Sequence, residues 1–402
     1  MMTGRSFSLF LMLFIGTLSA CSSENHFKSP QHLSFTRSTP EKHHEIEHPL
    51  SEGIGFISLN DQEVRPGSLR FLDTSGSPLE EFFPQIAGVY SFKVSGSHLL
   101  YLSTYELFRS LGTLYLTRLD ESYSDSPLII SRTSTFEYQI SDQRVVYIDS
   151  DNSVIISTLD GETIASLPYP NLDLRDLTLT ENRILFTISE DRPSIDKLLY
   201  IFDLNGNPLL NYSPIRINRY SPVVSTHNRV FSQASENLAL QIIDQNGSPI
   251  PGYRAIEGVD EFIVGADHIF IKLYNDQNML TNMNGEPQYL NPAFRPLELD
   301  NLLIGPNQIL RFDTSGLHLD IFNLQGVFNH RVNTLPDNLF ESQSLTRNRV
   351  INSQFIAYTL DQNLHILDLE GNPLPHFQPI PRVSQVQALP KMKMIVSETE
   401  TP

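Results

Sequence analysis

The sequence predicts an all-β protein, a single β-propeller behind an N-terminal export signal. Three observations lead to this fold class. A turn phrase, Asp or Asn followed three residues later by Gly, recurs about every 42 residues, a spacing typical of propeller blades. Short apolar strands lie between the turns, and no helical period of useful length occurs after residue 50. We predict eight four-stranded blades, with seven as the alternative.

Composition is that of a folded protein with a large core. The chain has 402 residues, of which 40% are hydrophobic and 18% charged. Asp and Glu number 46 against 28 Lys and Arg, which gives a net charge of -18, and no stretch gathers basic residues into a patch. We therefore expect no nucleic-acid partner, because phosphate binding needs such a patch.

The N-terminus carries a signal for export. Arg5 precedes the apolar run 7–18, which is shorter than the roughly 20 residues that a spanning helix needs. Leu18-Ser-Ala-Cys21 follows at once. We predict that residues 1–20 form a removed signal peptide. Cys21 is the only cysteine in the chain, so no internal disulfide is possible.

Leu18-Ser-Ala-Cys21 resembles the recognition site of bacterial lipoprotein processing. The resemblance implies a diacylglyceryl group on the Cys21 thiol, which would anchor the protein to a membrane. Ser22 stands where enteric-type lipoproteins retained at the inner membrane carry Asp, and this implies sorting to the outer membrane. We therefore expect a cell-envelope location, on the periplasmic face or at the surface.

Residues 21–50 are predicted to be a flexible tether, and residues 51–402 the propeller domain. The tether is polar and shows no strand or helix period. Its segment 41–48 is rich in Glu and His, and we prefer a solvated linker to a metal site there because no further ligands surround it.

The recurring turn glycines are predicted to be structural. Asp or Asn accepts backbone N–H bonds at the start of a tight turn, and Gly takes the left-handed conformation that closes it. Leu119–Pro127 occupies the place of an eighth turn without its Gly. Proline often follows the Gly, which places the next strand at a sheet edge. The seven glycines are Gly76, Gly161 (in a shortened copy, Leu159-Asp160-Gly161), Gly206, Gly247, Gly285, Gly326 and Gly371.

A second set of corners alternates with the first, so that each repeat contains four strands. The apolar segments 383–389 and 392–396 are predicted to complete the first blade beside residues 55–72, which removes the open edges of the ring. The second corners are Ser97-His98, Gln143-Arg144, Asn182-Arg183, Asn228-Arg229, Asp267-His268, Asn307-Gln308, Asn348-Arg349 and Lys391-Met392.

The chain resembles the outer-membrane-assembly scaffold lipoproteins, which belong to the quinoprotein-like repeat family. It shares with them a lipobox ending at Cys21, a repeat of this length and Asp-x-x-Gly corners. The resemblance is architectural. It implies a propeller that binds proteins of the cell envelope. Repeats of this family usually carry Trp after the turn Gly, whereas this chain has no Trp.

No catalytic constellation is visible, so we predict a protein without enzymatic activity, cofactor or metal. The sequence lacks a Gly-x-Ser-x-Gly elbow and a Gly-rich phosphate loop. Asp149-Ser-Asp-Asn152 fits a hairpin tip better than a calcium loop, since the later Gly and Glu are missing. The corner arginines would pack across neighbouring blades or, alternatively, form an anion site.

These features favour a non-enzymatic scaffold that presents loops on one face to a protein partner. One alternative is a protein that binds, or hydrolyses, a small molecule or glycan in the central channel; carboxylates converging there with perturbed pKa values would favour it. A surface or adhesion lipoprotein is the third possibility.

Overall fold

The fold consists of β-strands joined by turns and links. The computed structural model describes residues 44–50, 53–59, 66–79, 85–103, 112–119, 127–169, 172–189, 196–209, 213–226, 228–265, 267–294, 299, 302–312, 318–333, 349–351, 354–360, 362–389 and 392–398. Within these residues there is no α-helix, and none therefore that is long and apolar enough to cross a membrane. The predicted signal peptide, Cys21 and the predicted tether up to residue 43 lie outside them.

The strands follow one another along the unit Glu45–Glu398. In chain order they are β1 (His44–Leu50), β2 (Gly53–Ser58), β3 (Gly67–Leu72), β4 (Ile86–Val89), β5 (Ser91–Ser95), β6 (His98–Ser103), β7 (Gly112–Arg118), β8 (Leu128–Ile140), β9 (Val145–Asp149), β10 (Ser153–Ser157), β11 (Thr163–Pro168), β12 (Asp173–Leu179), β13 (Arg183–Ser189), β14 (Asp196–Asp203), β15 (Ile215–Asn218), β16 (Val224–Thr226), β17 (Arg229–Gln233), β18 (Leu240–Asp244), β19 (Val259–Val264), β20 (His268–Leu273), β21 (Asn278–Asn282), β22 (Pro287–Gln288), β23 (Leu302–Ile304), β24 (Gln308–Phe312), β25 (His318–Asn323), β26 (Phe328–Asn333), β27 (Arg349–Ile351), β28 (Ile356–Leu360), β29 (Asn363–Leu367), β30 (Val383–Leu389) and β31 (Met392–Glu398).

Antiparallel pairing arranges these strands in a β-propeller. Among the described residues, sheet 1 has the order β30-β2-β3-β4, sheet 2 runs from β5 to β11, sheet 3 from β12 to β15, sheet 4 from β16 to β18, sheet 5 from β19 to β22, sheet 6 from β23 to β26 and sheet 7 from β27 to β29, while β1 pairs with β31. Each sheet is built from consecutive hairpins, except that sheet 1 takes its first strand from the C-terminal end of the chain.

The C-terminal segment closes the arrangement, as predicted. Strand β30 pairs with β2, with Gly53 opposite Leu389 and Ile57 opposite Gln385. A hydrogen bond from Gln385 Nε2 to the Phe92 carbonyl, 3.1 Å long, ties β30 to β5 of sheet 2. The first and last strands of the body therefore belong to one sheet.

The core is divided into clusters, each of which lies between neighbouring layers of strands. Phe71 and Leu69 of sheet 1 pack with Phe92 and Leu99 of sheet 2. On its other side, sheet 1 packs through Phe56 against residues of sheet 7, including Leu364. Similar clusters join sheets 2 and 3, 3 and 4, 4 and 5, 5 and 6, and 6 and 7. Each sheet thus buries both faces against its neighbours, which is how a propeller satisfies its apolar strands.

Three details of the sequence prediction need correction. Strand β1 lies inside the predicted tether, so the folded unit begins at Glu45 rather than at residue 51. Two of its seven side chains, Ile46 and Leu50, are aliphatic, which gives no alternation to detect. Asn348-Arg349 is not a corner, because Arg349 begins β27, the first strand of sheet 7. Strand β31 pairs with β1 instead of extending sheet 1.

The two ends of each sheet differ. Antiparallel pairing places Arg183, at the first corner, opposite Asp203, at the Gly turn, and places His268 opposite Asn282 in the same way. Both kinds of corner therefore lie at one end of a sheet, which we call the turn face. The opposite end, which holds the links between second and third strands and from sheet to sheet, is called the loop face.

Candidate binding site on the loop face

The predicted turn glycines share one conformation. All seven have φ between 72° and 86°, the left-handed region that side chains disfavour. At a representative turn, Asp203 Oδ1 accepts hydrogen bonds of 2.8 Å from the N–H groups of Asn205 and Asn207, and the Gly206 N–H donates to the Asp203 carbonyl at 3.1 Å. The Asp supplies acceptors that the turn backbone would otherwise lack.

Gly161 belongs to a full turn rather than a shortened one. Thr158 stands where the other turns have Asp or Asn: its hydroxyl accepts the Glu162 N–H at 3.1 Å, and its carbonyl accepts the Gly161 N–H at 3.1 Å. Asp149 likewise caps the hairpin between β9 and β10, accepting from Asp151 and Ser153 at 3.0 Å. Asn152 there has a φ of 56°. The segment Asp149–Asn152 is therefore a hairpin tip.

Corner arginines bind the turn of the next sheet along. Arg183 Nε donates to the Gln245 carbonyl at 3.2 Å, and its Nη2 donates to Asn246 Oδ1. Arg144 makes the same pair of bonds to Leu204 and Asn205, at 3.2 and 3.3 Å. Arg229 donates from Nη2 to Asn284 Oδ1. These guanidinium groups are bonded across neighbouring sheets, as the packing alternative predicted, and the turn face is closed at these junctions.

A cavity of about 370 Å³ opens on the loop face between sheets 3 and 4. Its walls come from β12, from the loop-face ends of β13 and β14, and from the link that joins β15 to β16. The lining residues are Arg175, Asp176, Ser189, Lys197, Arg219, Tyr220, Ser221 and Pro222. This volume lies at the small end of the range typical of ligand sites.

A buried ion pair forms one wall of the cavity. Lys197 is 5% exposed, and its Nζ lies 2.5 Å from Asp176 Oδ2. The same oxygen accepts a 2.8 Å hydrogen bond from the Thr187 hydroxyl. Asp176 has a φ of 53° and lies where the pairing of β12 with β13 shifts register. Such a bulge re-aims a side chain, and a strained backbone at a non-Gly residue is typical of functional sites.

The remaining lining groups are cationic or bear hydroxyls. Arg175 is exposed and contacts Asp173 at 2.9 Å, and Arg219 is also exposed. Tyr220 is 82% exposed beside it. Arg175 and Lys197 are paired with Asp173 and Asp176, so Arg219, unpaired among the described residues, adds one positive charge at this cavity in a protein whose net charge is -18. The cavity suits an anionic group.

Charged side chains also meet on the first strands of sheets 2 and 3 and on β8 between them. Burial raises the pKa of Glu137 on β8, and the negative charge of Asp176 raises it further. Burial lowers the pKa of Lys93 on β5, against the opposing effect of Glu137. Gln139, two residues further along β8, donates to the Leu177 carbonyl at 2.8 Å. The charges of Glu137 on β8 and Asp176 on β12 therefore act on one another across the two sheets.

Sequence reasoning missed the lining residues of this cavity. Asp176 and Lys197 each lie beside another charged residue in their strands, Arg175 and Asp196, and these charged pairs among the apolar residues of β12 and β14 were the available signal. His98 and His268 are the first residues of β6 and β20, as their corner positions predicted. In the described parts of the chain, no group of three or more His, Cys, Asp or Glu is arranged to hold a metal ion.

Comparison with known proteins places the fold among solved propellers. No family model matches the chain, and no curated protein matches it. Similar structures include BamB from Moraxella catarrhalis, with a TM-score of 0.46, 14% identity, and coverage of 81% of this chain and 91% of that one. Apo AztD from Citrobacter koseri has a TM-score of 0.51 and 12% identity, with 88% and 100% covered. The likeness is one of architecture, as the sequence predicted.

Proposed function

We propose that this chain is a lipid-anchored, non-enzymatic propeller scaffold that binds a protein partner in the cell envelope through its loop face. The observation that carries the proposal is the contrast between the two faces. On the turn face, three successive junctions repeat one bonding pattern that engages the corner arginines. The loop face holds links of differing length, the highly exposed ring of Tyr220 and a cavity lined by three cationic side chains. Recognition usually resides in such variable loops on a rigid frame.

Exposed tyrosines on the loop face support binding of a protein. Tyr220 is 82% exposed in the link before sheet 4, and Tyr274 is 58% exposed between β20 and β21. Tyrosine offers a large contact area with few rotatable bonds and is enriched in protein interfaces. These rings and the neighbouring Arg219 suit a partner surface that combines apolar and acidic groups.

Within this proposal the propeller has eight blades. Strand β8 pairs with β7 through its first half and with β9 through its second half, so sheet 2 divides naturally into two blades. Sheets 4 and 7 gain a fourth strand from the bridges of Pro249 to Ile243 and Pro373 to Leu367. The described core contains eight clusters, one for each junction of an eight-bladed ring.

The anchor in this proposal is the lipidated Cys21, with the protein held at the outer membrane. The folded unit begins at Glu45, so the intervening residues would let it stand up to roughly 80 Å from the membrane when fully extended. This reach would allow the loop face to meet a partner embedded in the same membrane.

Site-specific photo-cross-linking tests the scaffold. A photoreactive amino acid at position 220 or 274 should give one saturable adduct with the same envelope protein in intact cells. Asp160, exposed in the turn that contains Gly161, is the matched control on the turn face and should give none. Adducts from position 160 alone, or monomer at all three positions while established envelope complexes are captured, would overturn the proposal.

A second candidate, binding of a small anionic molecule or acidic glycan, is favoured by the cluster around Lys197. A buried cation paired with one carboxylate, beside Arg175 and Arg219, is suited to a carboxylate or phosphate. Calorimetric titration with an acidic sugar and its neutral counterpart tests this. Tighter binding of the acidic sugar, lost in Arg219→Ala, would support it; equal binding of the two sugars would exclude it.

A further inference from the structure

Arg-to-turn bonds join sheets 2 and 3, 3 and 4, and 4 and 5, and the junction of sheets 6 and 7 has no arginine at the same corner. The position taken by Arg183 in sheet 3 is occupied in sheet 6 by Gln308. The two are equivalent in the fold: the Gly305 N–H donates to the Gln308 carbonyl at 2.9 Å, just as the Thr180 N–H donates to the Arg183 carbonyl at 2.9 Å. Gln308 also pairs with the first residue of the following turn of its own sheet, Asn323, as Arg183 does with Asp203.

The acceptor side of this junction is intact. In sheet 7 the turn from Asp368 to Gly371 keeps the usual bonds, with the Gly371 N–H donating to the Asp368 carbonyl at 3.0 Å. Leu369 and Glu370 therefore hold the places that Leu204 and Asn205 hold at the junction served by Arg144. Glu370 presents a carboxylate where the other turn presents an amide, and a carboxylate is the stronger acceptor for a guanidinium.

A cavity of about 420 Å³ lies where the missing guanidinium would be. The side chain of glutamine ends at the distance of an arginine Nε, so the Nη groups that reach the next turn have no counterpart here. Gln308 Nε2 is buried and has no hydrogen-bond partner. Buried polar atoms without a partner are rare in folded proteins, and this one points to a group supplied from outside. The lining residues are Pro306, Asn307, Gln308, Ile321, Asn329, His330, Ile351, Leu369 and Glu370.

We propose that this cavity binds an arginine side chain of a protein partner, which replaces the missing internal arginine. The guanidinium would donate to the Glu370 carboxylate and the Leu369 carbonyl, in the manner of Arg144 at its turn. The methylene groups would pack on Ile321 and Ile351, and Gln308 Nε2 would donate to a main-chain carbonyl of the partner. The planar fork of arginine matches two adjacent acceptors, whereas lysine offers a single point charge.

This site is on the face opposite the proposed scaffold surface and does not depend on it. The net charge of -18 favours approach of a cationic segment to the molecule as a whole. A partner bound here would join sheets 6 and 7 by the same kind of bonds that Arg144, Arg183 and Arg229 make at their own junctions.

The first test is a titration of the mature protein with N-acetyl-L-arginine N-methylamide, followed by calorimetry and ligand-observed NMR. The capped arginine should bind at least about tenfold more tightly than its lysine and citrulline analogues. Lysine lacks the planar guanidinium that donates to two acceptors, and citrulline lacks the positive charge. Equal binding of the three probes would overturn the proposal.

Variants locate the binding. Glu370→Gln should weaken binding of the capped arginine about tenfold while leaving the melting temperature unchanged, since Glu370 is exposed. Asp160→Asn is the matched control, an exposed acid at the same position of the turn containing Gly161, and should bind like the parent. Unchanged affinity in Glu370→Gln, or an equal loss in Asp160→Asn, would contradict the assignment.

Gln308→Arg offers a second, independent check. The new arginine should bond to Leu369 and Glu370 itself, fill the cavity and abolish binding of the capped arginine without lowering the melting temperature. Full binding by a folded Gln308→Arg protein would refute the site. A Tyr220→Ala variant should retain the binding, so failure of the loop-face proposal and failure of this one remain distinguishable.

Discussion

Removal of the charge of Asp320 should be among the most destabilising conservative changes in this protein. Asp320 lies on β25 and is fully buried. It accepts hydrogen bonds from Arg311 at 2.7 Å and from Arg331 at 2.6 and 3.1 Å, each arginine lying on an adjacent strand directly opposite it. Asp320→Asn keeps the shape but removes the charge that both arginines need.

The expected loss follows from the exposure of the three partners. Breaking a fully buried ion pair costs about 3–5 kcal/mol. Arg311 and Arg331 are 32% and 48% exposed, so water partly restores their solvation, and we expect a loss of about 3 kcal/mol. For a unit of roughly 350 residues, an unfolding entropy of about 0.7 kcal/mol/K converts this loss into a melting temperature lower by about 4 °C.

The pH dependence supplies a sharper signature. Burial alone would raise the pKa of Asp320, but the hydrogen bonds and charges of Arg331 and Arg311 outweigh it and hold the pKa below its usual value. The folded state therefore binds this proton less readily than the unfolded state does. The stabilisation is complete above about pH 5 and is lost as pH falls towards the folded pKa.

Thermal melts of the parent and Asp320→Asn between pH 8 and pH 3 test this account. The gap in melting temperature should be constant from pH 8 to pH 5 and then narrow. Asp260→Asn is the control: the Asp260 side chain, 31% exposed, has a single 3.2 Å pair with Lys272, and we expect a loss below about 1 kcal/mol. A gap at pH 7 no larger than that of the control, or one that does not narrow in acid, would refute the reasoning.

Three further predictions concern the anchor, the turns and the closing strand. Cys21→Ser should yield an unprocessed precursor that takes up no labelled palmitate yet melts like the parent, and palmitate labelling equal to that of the parent would exclude lipidation at Cys21. Gly206→Val and Gly371→Val should each lower the free energy of unfolding by about 1–3 kcal/mol. Both glycines have φ above 80°, and an added Cβ would lie 3.0 Å and 2.6 Å, respectively, from a neighbouring side chain. Unaltered melting temperatures would show that the turns tolerate side chains. Deletion from Val383 onward should cause aggregation or a much lower melting temperature, because it removes β30 from sheet 1. Deletion of residues 399–402 should leave the melting temperature unchanged. Equal melting temperatures for the two truncated proteins would contradict closure of sheet 1 by β30.

Local turn chemistry made most of this architecture predictable. An Asp or Asn with a following Gly specifies its own hydrogen bonds, so the turns at Gly206 and Gly371 could be placed without knowledge of the rest of the chain. Thr158 accepts the equivalent hydrogen bond with its hydroxyl group, so a pattern that requires Asp or Asn does not identify it. Strand β8 runs through 13 residues without a turn signal, so the sequence did not show that one strand would serve two successive groups of hairpins.

The candidate sites were less predictable because they depend on contacts between repeats. The Asn at the third turn position, as in Asn205 and Asn246, accepts a hydrogen bond from the arginine one repeat earlier, so its role is visible only when the two repeats are packed together. The cavity at Lys197 depends on a register shift at Asp176 and on the course of a sheet-to-sheet link. Neither the register shift at Asp176 nor the course of the link can be predicted from residues that are neighbours in the sequence.

The pairing of β30 with β2 also determines when the protein can finish folding. More than 320 residues separate the two strands, so a stretch of chain that long must first be brought into a loop, and closing it costs about 5 kcal/mol in chain entropy beyond a constant term. During synthesis or export, the edge of β2 would stay uncovered until residues 383–389 arrive. A chain stalled before that point would expose an unpaired strand to any other chain nearby. A protein built in this way depends on its final segment, and we expect its folding to be slow and completed only after the whole chain has been delivered.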